Sequence, residues 1–248
     1  MRSPPSAWSS AMDDYVDSLR AASIYARAAY GYPLTEGYLS SVYATVFMGT
    51  LKSLEFDVVG GASAHAHDRA LLEESGLEES DLLLSEWKNS VFRPCHFVAT
   101  DRRRRKLILG VRGSLQLSDL LTDTMADTLE VSLAGGAAKV HEGMFRAATY
   151  VHCNTAEVLR RAAEEHPGWQ LIVTGHSMGG GVAALLAVLL NEPEGCPNGL
   201  RGNIRCVALG CPSVMSSRLC RACASYVTSV VLRHDFVPRL GAASIDLL

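Results

Sequence analysis

No stretch of this 248-residue chain reaches the roughly 18 to 20 uninterrupted apolar residues that cross a bilayer as a helix. The longest apolar run, Val182–Leu190, has the length of a buried helix instead. A secretory signal is equally missing, since Met1-Arg2-Ser3-Pro4-Pro5-Ser6-Ala7-Trp8 has no hydrophobic core and Asp13 and Asp14 stand where one would lie. Charge of one sign is scarce: a formal net charge of −3 leaves no basic surplus to recruit nucleic acid. Paired metal-ligand spacing is absent as well. The seven cysteines are odd in number, and Cys206, Cys211, Cys220 and Cys223 lack the two close pairs of a zinc site, so they read as reduced, buried thiols. His65 and His67, within a Gly/Ala/Ser stretch, read as an exposed loop rather than a ligand pair. These absences point to an intracellular chain, cytoplasmic or peripheral at membranes, with no metal and no cofactor.

What is present is apolar content of 48%, enough for one sizeable core. Residues 12–30 read as an alanine-rich helix closed by Gly31 and Pro33. Leu39–Leu51 fits helix or strand, and the serine- and acid-rich residues 73–86 read as a solvated helix. Two β-like runs, 95–100 and 107–112, flank a charged connector and suggest a hairpin or adjacent strands. The five consecutive basic residues Arg102–Lys106 suit either a solvated connection or contact with anionic headgroups. Residues 142–165 carry a helical stripe. Strand 170–174, helix 178–191, loop 192–202, strand 204–209, a helix near 214–225 and strand 227–232 follow. Strands and helices alternating at these lengths imply a parallel sheet covered on both faces.

The chemistry concentrates at Thr174-Gly175-His176-Ser177-Met178-Gly179-Gly180. A Gly-x-Ser-x-Gly between a strand-length and a helix-length apolar run is the setting of a nucleophile elbow, in which Gly175 and Gly179 leave room for a strained serine. A serine hydroxyl needs a base oriented by a carboxylate. Asp235, just beyond the strand 227–232, is the candidate acid, because parallel sheets present catalytic groups at the carboxyl ends of their strands.

These residues join others in a recognisable order: Val111-Arg112-Gly113-Ser114, Asp119, Thr122-Asp123, His141-x-Gly143-Met144, the glycine-rich elbow, and Asp235-x-Val237-Pro238-Arg239. The series resembles the class 3 (fungal-type) lipase domain, and particularly its diacylglycerol lipase branch, over about residues 92–248. Residues 1–91 then form an unassigned N-terminal helical region. The resemblance implies an α/β-hydrolase fold, an acylglycerol substrate and transient contact with a membrane surface. It implies Ser177 as nucleophile, Asp235 as triad acid, and Ser114 with the Met178 N–H as oxyanion donors. His141 and His176 would support the site without moving protons, and Asp119 and Asp123 would pin the adjoining segment.

One departure stands out: no histidine follows Asp235. The chain stops at Ser244-Ile245-Asp246-Leu247-Leu248, which reads as a helix just beginning. The expectation is a fragment, a truncated product or a member that has lost its base, with little turnover. A non-catalytic lipid-binding or regulatory remnant is the first alternative, and a thioesterase or acyltransferase the second. Residues 128–139 alternate apolar and polar before Gly135-Gly136, which fits a strand entering a turn or a mobile cover over Ser177.

Overall fold

The computed structural model describes residues 6–31, 64–113, 128–235 and 237–239, with side chains from residue 12 onward. Through these the chain forms α1 (Ser6–Ala28), α2 (Ala64–Ser75), β1 (Leu82–Glu86), β2 (His96–Asp101), β3 (Lys106–Val111), β4 (Thr128–Leu133) and β5 (Gly136–His141). It continues with α3 (Glu142–Glu165), β6 (Gln170–His176), α4 (Met178–Asn191), β7 (Ile204–Leu209), α5 (Ser217–Cys223) and β8 (Val227–Val230). Six strands make one sheet in the order β1-β2-β3-β6-β7-β8. The first three pair antiparallel, and β3, β6, β7 and β8 run parallel. The β4–β5 hairpin is separate.

Alternation along each strand assigns its side chains to two cores. Val98, Leu107, Leu109, Leu171, Val173, Cys206 and Ala208 point to the side covered by α3 and α4. Their neighbours Phe97, Ala99, Ile108, Ile172 and Val207 point to the side covered by α1 and Leu71 of α2. Helix α4 is apolar all round because it lies between the sheet and α3, and Val182–Val188 are all buried. Helix α1 meets the sheet through small residues, Ala21, Ala22, Ala28 and Ala29, which let its backbone come close. The Thr174 hydroxyl in β6 can donate to the Ala22 carbonyl at 3.2 Å. At its middle, Tyr25 donates to the Asp101 carboxylate at 2.5 Å, which also accepts from Arg104 at 2.9 Å.

Helix 142–165, strand 204–209 and helix 178–191 stand where the sequence placed them, and strand 170–174 extends to His176. Two readings are corrected. Residues 73–86 are not one solvated helix: α2 ends at Ser75, Gly76 turns the chain with φ +69°, and Leu82–Glu86 pairs with β2 as an edge strand. His65 and His67 lie on α2 rather than in a loop, and His67 is buried and stacked on Trp87 at 4.9 Å. The boundary drawn at residue 91 falls between two strands of one sheet, so β1 shares its hydrogen bonds with the following region. Leu39–Leu51 lies outside the described residues.

The basic run occupies the β2–β3 turn. Arg102 pairs with Asp81 at 2.7 Å, Arg104 with Asp101, and Arg103 donates to the Gly76 carbonyl at 3.4 Å. Because Lys106 pairs with Gln170 at the start of β6, this turn lies at the opposite end of the sheet from Ser177, about 20 Å away for a seven-residue strand.

Candidate active site

Strand β6 ends at His176, α4 begins at Met178, and Ser177 alone makes the corner. Its φ of +57° and ψ of −126° are backbone angles that a side chain tolerates only at a cost on the order of 1–3 kcal/mol. The corner is fixed by its own hydrogen bonds: Ser177 N donates to the Leu209 carbonyl at 2.9 Å, and the Ser177 carbonyl accepts from Gly181 N at 3.1 Å. The flanking glycines have steric reasons. A Cβ on Gly175 would sit 2.3 Å from the Gly179 oxygen, and one on Gly179 would sit 2.4 Å from the Val111 oxygen and 2.8 Å from Gly113 N. The elbow is therefore wedged against the end of β3, alongside Arg112-Gly113. Ser114, Asp119 and Asp123 lie outside the described residues.

Asp235 follows β8 in a tight turn in which its N–H donates to the Leu232 carbonyl at 3.0 Å. Its Oδ1 accepts from Val237 N at 3.1 Å, and its backbone carbonyl accepts from Arg239. The other carboxylate oxygen faces the end of β7. Gly210 has φ +53°, and a Cβ there would come within 2.8 Å of Asp235 Oδ2 and 3.7 Å of His176 Nε2. Asp235 and the elbow histidine thus both face the space that Gly210 keeps clear, without a hydrogen bond between them. On its other side, His176 Nδ1 lies 3.1 Å from the Tyr30 hydroxyl at the end of α1. Burial pushes the His176 imidazole below its usual titration range, and the charge of Asp235 pulls it partly back.

The His-x-Gly-Met series acquires a packing logic. The His141 Nδ1 accepts from Met144 N at 3.2 Å and caps α3. Gly143 leaves room for the His141 and Phe92 rings, and Met144 Sδ fills the space over Gly181 in the first turn of α4. The segment 128–139 is the strand-and-turn alternative. Ala134 and Gly135 form a two-residue hairpin loop with φ +48° and +73°. The Ala134 N–H is held by Glu192 at 2.7 Å. The Arg218 guanidinium donates to the carbonyls of Leu133, Ala134, Gly136 and Ala137. Strand β5 is further tied to the β7–α5 connection, with His141 N donating to Val214 O and Ser216 N to Lys139 O. A hairpin strapped at its tip and along one edge is scaffold rather than a cover.

The four clustered cysteines do not converge as ligands. Cys206 is inside the core, Cys211 Sγ lies 3.5 Å from the Ser229 hydroxyl, and Cys220 is exposed on α5. Burial pushes the Cys206, Cys211 and Cys223 thiols up. Among the described residues no group of three or more His, Cys, Asp or Glu side chains could hold a metal ion. Two participants escaped the sequence reading. Gly210 carried a usable signal, a glycine just past the carboxyl end of a parallel strand. Tyr30 carried none.

A mostly parallel sheet covered on both faces, with a strained serine on the turn between its central strand and a buried helix, defines an α/β-hydrolase-fold domain. The chain belongs to the class 3 lipase family, whose sequence profile, lipase (class 3), matches residues 108–244. It is 30% identical to mouse diacylglycerol lipase-beta over 236 residues, covering 90% of this chain and 33% of that protein. It is 29% identical to human diacylglycerol lipase-alpha over 204 residues, covering 78% of this chain and 19% of that one. The chain thus spans a third or less of these two relatives. The lipase of Rhizopus microsporus var. chinensis superposes with a TM-score of 0.67 at 20% identity, over 94% of this chain and 71% of that one. At that identity the likeness is one of fold.

Proposed function

We propose that this domain is a serine ester hydrolase acting on acylglycerols, diacylglycerol foremost, with Ser177 as nucleophile and Asp235 as the acid that orients its base. The observation that carries the reading is Ser177 itself: a strained, non-glycine corner at the N-terminus of a buried helix, wedged against the end of β3. Ser177 Oγ attacks the ester carbonyl, the alcohol leaves with a proton, and water hydrolyses the acyl-enzyme. The Met178 N–H, first on α4, and Ser114 donate to the developing oxyanion, each worth roughly 3 kcal/mol. His141 caps the start of α3, whose Met144 packs over Gly181 of α4. The relatives named diacylglycerol lipase support the substrate class.

A lipid surface is the partner we propose for the same end of the molecule. Val111 pairs with both His96 and Gly175, so the turn preceding β2 lies beside Ser177, and Val230 pairs with Leu209 at the same edge. Val91 and Phe92 in the first turn, and Val231 and Leu232 after β8, are exposed. They bracket the elbow at about 20 Å, four strand spacings.

Fluorophosphonate labelling tests the nucleophile. The natural gene product reacts at Ser177, and Ser177→Ala abolishes the adduct; labelling that survives the substitution refutes the assignment. A second reading, a lipid-binding domain without turnover, rests on the histidines. His176 is engaged by Tyr30, His141 caps α3, and His234 lies in the exposed turn before Asp235. We infer that these 248 residues alone hydrolyse esters slowly, since loss of a triad base costs on the order of a millionfold. Rapid hydrolysis of diacylglycerol by them would overturn that inference, and preference for acyl-thioesters would favour a thioesterase.

A further inference from the structure

We propose that Tyr30 is a positioning residue of the active centre: its hydroxyl fixes the orientation and tautomer of the His176 ring, next to Ser177 in the elbow. The inference deepens the hydrolase reading, on which its catalytic meaning rests, but its geometry stands independently.

Tyr30 is buried in the turn that follows α1, 146 residues before its partner in sequence. Its hydroxyl lies 3.1 Å from His176 Nδ1. The same oxygen also presses on the end of β3, where a Cβ on Gly113 would come within 2.6 Å of it and 2.4 Å of the His176 carbonyl. The hydroxyl therefore lies between the elbow histidine and the backbone at Gly113, just past the end of β3. The opposite nitrogen, His176 Nε2, lies on the side of the ring that faces Gly210 and, beyond hydrogen-bond distance, Asp235 Oδ2. A neutral imidazole has one N–H and one lone pair. The negative charge of Asp235 favours the N–H on Nε2, and Nδ1 is left as an acceptor for the Tyr30 hydroxyl. Burial keeps the ring neutral, against the pull of Asp235.

The tyrosine is held rigidly enough to act this way. Helix α1 is bound to the sheet by the Tyr25 hydrogen bond to Asp101 and by its buried alanine face, which holds its end against the elbow. Without the hydroxyl, the ring loses the partner that selects its tautomer.

The experiment is nitrogen-15 histidine NMR of the whole chain, with His176→Gln for assignment. The parent shows His176 as the Nε2–H tautomer. Tyr30→Phe, which removes one oxygen and keeps the ring, mixes the tautomers and raises the His176 titration midpoint by about 0.5 to 1 pH unit, the equivalent of one neutral hydrogen bond. Asp235→Asn lowers the midpoint, and this second arm decides the case should Tyr30→Phe fail to fold. A parent ring protonated on Nδ1, a midpoint unmoved by Tyr30→Phe, or one unmoved by Asp235→Asn would overturn the proposal. None of these signals needs turnover, so a failed hydrolase reading remains distinguishable: fluorophosphonate labelling at Ser177 would be absent while the NMR shifts persist. Where labelling occurs, Tyr30→Phe slows it about fivefold.

Discussion

Arg218 holds the β4–β5 hairpin by one side chain, and removing it tests whether that hairpin is scaffold. Its Nε donates to Ala137 O at 2.7 Å, Nη1 to Ala134 O at 3.3 Å, and Nη2 to Leu133 O at 2.5 Å and Gly136 O at 2.8 Å. Hydrogen bonds from a charged donor are worth about 1.5–3 kcal/mol each when water is excluded. Here the guanidinium is partly exposed and water can take over some carbonyls, so the four together contribute about 2–3 kcal/mol. Arg218→Ala should lower Tm by roughly 4 to 10 °C in a chain of this size. Arg218→Lys should recover about 1 kcal/mol, because an ammonium cannot span the fan of carbonyls that a planar fork reaches. Hydrogen exchange localises the effect, with amides of 129–140 losing protection first. If Arg218→Ala stays within about 0.5 kcal/mol of the parent and those amides keep their protection, the strap is not what fixes the hairpin. The reading of 128–139 as immobile then loses its support.

Gly179→Ala places a methyl against the Val111 and Gly113 backbone, where nothing flexible can yield, and should cost about 3 kcal/mol in urea denaturation with loss of Ser177 labelling. Burial lowers the titration range of His96 and His176 below the unfolded value of about 6.5, so the unfolded chain binds more protons as the medium acidifies. The associated stability is fully present above about pH 6.5 and declines as pH falls below it; His96→Gln should flatten part of that slope in urea midpoints taken between about pH 7.5 and 5. Val91→Asp combined with Leu232→Asp, both on exposed side chains, should reduce binding to lipid vesicles severalfold without changing Tm, and unaltered flotation would move the lipid-facing surface elsewhere. Asp101→Asn should loosen α1, because burial of that carboxylate is offset by hydrogen bonds from Tyr25 and Arg104 that hold it below the usual carboxylate range; the loss is measured as Tm at about pH 7 and shrinks as pH falls below that range.

The parts of this fold legible in the sequence are those whose information is local. Strand β6 and helix α4 are set by an apolar run, a glycine-flanked serine and a second apolar run, and each signal lies within a few residues of its effect. Helix α3 announces itself by its stripe, and His166-Pro167-Gly168 stops it. Leu82-Leu83-Leu84 has no alternation to mark it as a strand and follows an acidic segment of helical composition. Pairing with Val98 and Ala99 decides its state, and that information lies fifteen residues away. His67 was misjudged for a related reason. Small residues around it suggested a loop, whereas its stacking on Trp87 supplies the packing that a helix at that place requires.

The candidate site divides along the same line, and the division bears on how the domain would work. Ser177 and its glycines form a local constellation, as strain at one residue must be relieved by its immediate neighbours. Asp235 is legible one level up, from the rule that strands of a parallel sheet offer reactive groups at their carboxyl ends. Tyr30 satisfies no rule of either kind. A tyrosine at the end of an alanine-rich helix fits the apolar pattern equally well as core, and only the docking of α1 across β3, β6 and β7 brings its hydroxyl to the elbow. Helix α1 falls outside residues 108–244, the part of the chain that the family profile matches. A protein trimmed to that match would keep the serine and the acid but lose the hydroxyl that lies 3.1 Å from the elbow histidine. It would also uncover Ile108, Ile172 and Val207 on one face of the sheet. The N-terminal helix is thus part of the same physical unit as the elbow, joined to it by an apolar face and by polar contacts that include Tyr30 to His176.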